Sequence, residues 1–137
     1  MKLKTNQGMT LIELLITLLV ISIIATIASS LYSPYVRKGR RIDAVNAIIS
    51  ISLAEERYRS QQTQYGTLAQ VWGGVTASSE GYYALSITNI GASSYTITAA
   101  AIGDQANDAV NGVSCASIVL SVNNGTVTKS PAACWPQ

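Results

Sequence analysis

The chain has 137 residues, of which 48% are hydrophobic and only 12% charged, about half the usual ~25%. Its length suits one domain, or a small domain with an appendage, and its net charge of +2 is too low to mark a nucleic-acid binder by composition. It has no His, so the readiest general base at neutral pH and the commonest metal ligand are both missing; a hydrolytic triad, a zinc enzyme or a membrane-anchored enzyme is disfavoured from the counts alone.

The first eight residues, MKLKTNQG, are polar and made basic by Lys2 and Lys4. From Leu11 to Leu31 the chain is apolar except for one acid, Glu13, and from Leu14 to Leu31 it carries no charge at all. As a helix, that uncharged run is roughly 27 Å long at ~1.5 Å per residue, close to the ~30 Å of a hydrocarbon core. Thr17, Ser22, Thr26, Ser29 and Ser30 are small hydroxyl residues of the kind tolerated at packed helix faces in membranes. Arg37, Lys38, Arg40 and Arg41 close the far end, so basic charge flanks both sides and sets no orientation by itself. A cleaved secretory signal, with small residues supplied by Ala25–Ala28, is one reading of this stretch, and a plain membrane anchor is another.

A third reading rests on the motif from Gln7 to Glu13, QGMTLIE. With its short basic leader, its glycine, its acid and the apolar run that follows, it resembles the processing site of type IV prepilins and pseudopilins. The resemblance implies cleavage between Gly8 and Met9 by a membrane prepilin peptidase and N-methylation of the new terminus at Met9. Met9 departs from the Phe usual there, whereas Tyr32 and Tyr35 match the tyrosines that commonly follow the apolar stretch. The resemblance also implies that Glu13 meets the N-terminal amine of a neighbouring subunit during assembly. An ionisable side chain in a membrane span is costly, and two unpaired opposite charges in a low-dielectric bundle gain much by meeting. The competing reading leaves Glu13 at the level of the lipid headgroups.

Beyond Pro34, which can kink the helix, Ile42, Val45, Ile48, Ile49 and Leu53 recur at helical spacing with polar residues between them. They predict an amphipathic segment with one apolar stripe. A single helix is therefore expected from about Thr10 to Gln62, stopping before Gly66. The Pro near Ser30 and the mid-helix Gly of familiar type IV pilins are absent. The basic cluster Arg37–Arg41 is expected to face lipid headgroups, acids of neighbouring subunits, or simply solvent.

After Gly66 the composition turns to Gly, Ser, Thr, Ala and Tyr. Strict alternation predicts strands over Tyr82–Asn89 and Ser94–Ala101 joined by the loop Gly91–Ser94. Further strands are predicted at Ser117–Val122 and, across the turn Asn123–Gly125, at Thr126–Lys129. The fold class is α+β: a long N-terminal helix, membrane-spanning in its front half, packed on a four-stranded antiparallel sheet. This is also the pilin architecture.

Cys115 and Cys134 are the only cysteines. In an exported domain they can form a persistent disulfide, with two free thiols as the alternative; two Cys without His make a metal site improbable. In type IV pilins a C-terminal disulfide bounds an exposed, variable region, and the resemblance places Cys115–Cys134 there. The ending Cys134-Trp135-Pro136 looks like that of PilE-type minor pilins.

Other signals are weaker. Asp104–Gly112 spaces acids and amides like a calcium loop but lacks the closing Glu, and reads more simply as a polar turn. Asn124-Gly125-Thr126 fits a glycosylation sequon within a tight turn. Tyr82, Tyr83 and Tyr95 could stack on DNA, but core and cross-strand packing explain them better. Removing Lys2 and Lys4 brings the mature chain to neutrality, which argues against a strongly DNA-binding pilin while leaving room for a local basic patch; DNA is a possible but unsupported partner.

The sequence thus reads as three parts: a cleaved leader at 1–8, a transmembrane and assembly helix at 9–33, and a pilin head at 34–137. The expected role is that of a structural subunit of a type IV pilus, most simply a minor pilin, serving attachment, twitching motility or DNA uptake. A pseudopilin of a type II secretion system and a DNA-receptor pilin are the alternatives. The implied partners are other pilin subunits, the prepilin peptidase, the inner-membrane pilus assembly machinery and, before assembly, membrane lipid. The implied location is the inner membrane and then the extracellular fimbrium. No cofactor and no catalytic residue are implied.

Overall fold

The computed structural model describes residues 9–136, with only the backbone described for residues 29–31. Gly8 and the rest of the leader lie outside the described residues. The chain divides into two compact units, one up to Tyr35 and one from Val36 onward.

The first unit is helical. Helix α1 is assigned over Leu11–Arg59 with Pro34 inside it, three residues shorter at its end than the sequence suggested. Within this unit, Leu11–Ala28 is long and apolar enough to cross a membrane, and none of it is buried. Thr17, Ser22 and Thr26 donate their hydroxyls to carbonyls three or four residues back, so the helix satisfies its own polar groups along the span.

The second unit holds the end of α1, the short helix α2 (Leu68–Trp72) and six strands. Strands β1 (Tyr83–Thr88), β2 (Ser94–Ala101), β5 (Ser117–Asn123) and β6 (Thr126–Ser130) form one antiparallel sheet in the order β1-β2-β5-β6. Strands β3 (Ala109–Val110) and β4 (Val113–Ser114) pair as a separate hairpin. The 3-10 turns η1 (Gly103–Asn107) and η2 (Ala132–Cys134) complete the unit.

The alternation read from the sequence is the alternation observed. Tyr83 and Leu85, then Tyr95, Ile97 and Ala99, then Ile118, Leu120 and Val122 are buried on one sheet face. Against them lie Ala44, Val45, Ala47, Ile48 and Ile51 of α1 in one hydrophobic cluster. Burial of each large aliphatic side chain there stabilises the unit by about 1.5–3 kcal/mol. Tyr83 and Tyr95 are fully buried and form part of this core. Burial of Tyr95, whose hydroxyl lies 2.8 Å from Ser52 Oγ, pushes its phenol up to about 12.

The single apolar stripe expected on the back half of α1 is a correction. Val45 and Ile48 face the core, but Ile42, Ile49 and Leu53 remain exposed. The helix has two apolar faces, and the sheet covers one of them.

Candidate functional site

The assembly determinants start at the N-terminal end of α1. Thr10 Oγ1 accepts the Glu13 backbone N–H at 3.3 Å, so Thr10 caps the first turn and places Glu13 at its third position. This Thr-x-x-Glu spacing is a helix-start signal that the motif reading passed over. The Glu13 side chain is exposed, and no ion pair among the described residues includes it. Met9 is exposed beside it.

In the head, the basic cluster is largely committed to its own domain, which corrects the expectation of headgroups, neighbouring acids or solvent for two of its members. Arg41 makes a bidentate pair with Asp108 at 2.7 and 2.8 Å, with both side chains nearly closed to solvent. Arg37, one turn earlier, pairs with Asp104 at 3.0 Å in a more open position. Hydrogen bonds from Asn107 and Arg37 hold the Asp104 carboxyl below the ordinary carboxylate range. Gln105, between the two acids, is buried and donates to the Arg37 carbonyl and the Tyr83 hydroxyl. The segment that resembled a calcium loop is thus a clasp: Asp104 and Asp108 are turned onto arginines one helical turn apart. Arg40 lies with its guanidinium 4.5 Å from the centre of the Tyr82 ring, while Lys38 is exposed.

Next to the clasp, where the Cys115 N–H donates to the Asp108 carbonyl at 2.8 Å, a disulfide joins Cys115 to Cys134, with Cα atoms 5.6 Å apart and both residues buried. Closing a loop of this length stabilises by about 3 kcal/mol in the chain-entropy picture. It anchors the turn that carries Trp135, over which Lys129 Nζ lies at 5.0 Å from the ring centre. Lys129 belongs to β6, an edge strand exposed along its whole length. The sequon residue Asn124 and Gly125 have φ of 49° and 78° and form the β5–β6 turn.

A buried carboxylate ties α1 to the loop that leaves it. Glu55 is fully buried, and its Oε2 accepts the Gly66 N–H at 2.8 Å. A Cβ at Gly66 would stand 2.6 Å from a Val71 methyl, so only glycine lets the loop approach this closely. Burial raises the Glu55 pKa, the Gly66 hydrogen bond opposes the rise and the Glu56 charge adds to it. The folded head therefore binds the Glu55 proton more readily than the unfolded chain does. Its contribution to stability is full below the unfolded carboxylate value near 4.5 and is lost as pH rises through the higher folded value. Denaturation of the head from pH 4 to 7 should show this loss, and Glu55→Gln should remove it; an unchanged pH dependence in the variant would assign the effect to another group.

Two comparisons with known families bear on these sites. Residues 3–29 match the family model described as the prokaryotic N-terminal methylation motif. Residues 30–119, which run through the back half of α1, the clasp and the start of β5, match the model described as type IV minor pilin ComP, DNA uptake sequence receptor. Among curated proteins, none matches the chain. The second match spans well over half of the chain, and the apolar helix followed by a four-stranded antiparallel sheet has the architecture of a pilin. The chain belongs to the type IV minor pilin family.

Proposed function

We propose that this subunit presents a DNA-binding head on a type IV pilus. The observation that carries the reading is the match over residues 30–119 to a family described as a DNA uptake sequence receptor. The head supplies cations for it: Lys38, Arg40, Arg57, Arg59 and Lys129 take part in none of the ion pairs among the described residues. Such side chains can neutralise phosphates, while sequence would be read by other polar groups. A pseudopilin role finds no support in this match.

The rest of the life cycle follows the prepilin pattern. The peptidase cuts between Gly8 and Met9, and the new Met9 amine is methylated. Leu11–Ala28 holds the subunit in the inner membrane. The assembly machinery then moves it, with other pilins, into the extracellular filament, and Glu13 pairs with a neighbour's N-terminal amine as it enters. The methylation-motif match at residues 3–29 supports this order. The protein's work is assembly and binding.

A head fragment beginning at Val36 tests the DNA reading, since its hydrophobic core is complete within that unit. With these five cations outside the ion pairs among the described residues, the slope of log affinity against log salt should be no steeper than about −4.5, at about −0.9 per phosphate contacted. Lys129→Ala or Arg57→Ala should flatten it by about one if that side chain meets a phosphate. A head that binds no duplex DNA even at low salt would overturn the proposal.

A further inference from the structure

Residues 66–75, which carry α2, are fastened to the head at their two ends. Just before them the Tyr65 N–H donates to the Gly91 carbonyl at 3.0 Å, and just after them the Thr76 carbonyl accepts the Leu85 N–H at 2.8 Å. Between those points the segment bonds mainly to itself: Thr67 with Gln70, Val71 with Thr67, Gly74 with Leu68 and Val75 with Trp72. The exception among the described residues is the Gly66 N–H, which donates to Glu55 Oε2 at 2.8 Å. Apolar packing holds the segment only loosely, because α2 has no buried residue and Leu68, Val71 and Trp72 are partly covered. Gly73 and Gly74 follow α2 with φ of 67° and 75°, a left-handed step that glycine takes without strain. The arrangement is that of a flap with a glycine hinge and a single pin.

The pin is a fully buried carboxyl whose second oxygen, Glu55 Oε1, has no hydrogen-bond partner. The charged and titratable groups around it are Glu56, Tyr58 and Arg59 on α1, Tyr65 at the start of the flap and Tyr95 on β2. None of them forms an ion pair with it. Arg59 donates its guanidinium to the Gln62 and Ala92 carbonyls, and Glu56 adds charge of the same sign while accepting the Tyr65 hydroxyl at 3.2 Å. Burial raises the Tyr65 and Tyr95 phenols, so both stay neutral. A neutral carboxyl fits this site, whereas an ionised one is left with an oxygen cut off from water and from any countercharge. Water reaches that oxygen once residues 66–75 lift. We infer that residues 66–75 form a pH-gated flap, pinned shut by the protonated Glu55 carboxyl and released when that carboxyl ionises. Acid closes the flap and rising pH opens it, while the sheet and the core face of α1 stay folded. The open flap presents the faces of Leu68, Val71 and Trp72 that the closed head keeps half-covered.

The test is hydrogen exchange, read by mass spectrometry on the full chain in detergent micelles from pH 4 to pH 8. After correction for the base catalysis common to all amides, a peptide covering residues 66–75 should gain about tenfold in exchange rate for each pH unit above the Glu55 midpoint, until the flap is fully open. Peptides from β2 and β5 should gain nothing. Glu55→Gln keeps an acceptor for the Gly66 N–H and cannot ionise, so its flap should exchange at the acid rate throughout. Glu56→Gln removes the neighbouring charge and should keep the response, moved to higher pH-resistance only by the loss of that repulsion: its opening should begin at a lower pH than in the parent. A flap that exchanges at one corrected rate across the range would overturn the inference. So would a Glu55→Gln chain that keeps the parent's response, a Glu56→Gln chain that loses it, or strands β2 and β5 that open together with the flap.

Discussion

Glu13→Gln is expected to leave the subunit in the membrane at normal levels and to remove it from filaments, by at least tenfold in the ratio of sheared to cell-bound protein. In the single chain, Thr10 caps the first turn through the Glu13 backbone N–H, and the carboxylate stays exposed. Replacing the acid by an amide therefore disturbs no observed side-chain contact and removes a charge from an apolar helix. Retention in lipid should be unharmed, because an isolated charge near a span costs several kcal/mol. On the pairing proposal, assembly is where the charge matters. In a bundle of apolar helices, an acid and a cationic N-terminus gain most by meeting each other, and a Gln at position 13 leaves the incoming amine without its partner. A loss of even 1.4 kcal/mol at each addition corresponds to the tenfold effect. Glu13→Asp keeps the charge on a shorter stem and should incorporate at an intermediate level. Normal incorporation of the Gln variant would end the pairing proposal while leaving the membrane segment unexplained as an assembly element.

The main features of the fold are legible in the sequence because two simple periods carry them. Residues alternating along Tyr83–Ile87, Tyr95–Ala99 and Ile118–Val122 had to share a face, and the sheet places them so. The small elements were less visible. The β3–β4 hairpin turns on Asn111-Gly112, with φ of 50° and 80°, between Val110 and Val113. That is an Asn-Gly hairpin signal, overshadowed by Asp104 and Asp108 just before it. Helix α2 begins at Thr67, whose N–H is accepted by Gln70 Oε1 at 2.8 Å, a capping pair present in the sequence but only one turn from the helix end. The role of the basic cluster was not legible at all. Arg37 and Arg41 are separated from Asp104 and Asp108 by 67 residues, and no local period links such distant charges. The second apolar face was hidden for a related reason: Ile48 and Ile49 are adjacent, and a helix turns adjacent residues to different sides, so a list of apolar positions merged two stripes into one.

Arg41→Met should cost about 3–5 kcal/mol of head stability, read from denaturant unfolding of the fragment from Val36. The Arg41 and Asp108 side chains are 9% and 2% exposed, and their two hydrogen bonds are short and parallel. Removing the cation leaves a carboxylate enclosed beside Tyr83 and Gln105 with no opposite charge to offset its desolvation. Arg37→Ala, one turn away, should do far less, because its partner Asp104 is largely in water and solvent screens the pair. The contrast separates burial from charge, since both arginines lose the same kind of partner. Arg41→Met combined with Asp108→Leu should recover most of the loss, because an apolar pair of similar volume carries no desolvation cost. Those outcomes would make the pair a fastener of the η1 clasp whose removal is costly only when one half remains. If Arg41→Met and Arg37→Ala cost the same, the buried geometry contributes nothing special. If the double variant is no better than Arg41→Met alone, the hydrogen bonds of the pair hold the loop in a way that apolar packing cannot replace.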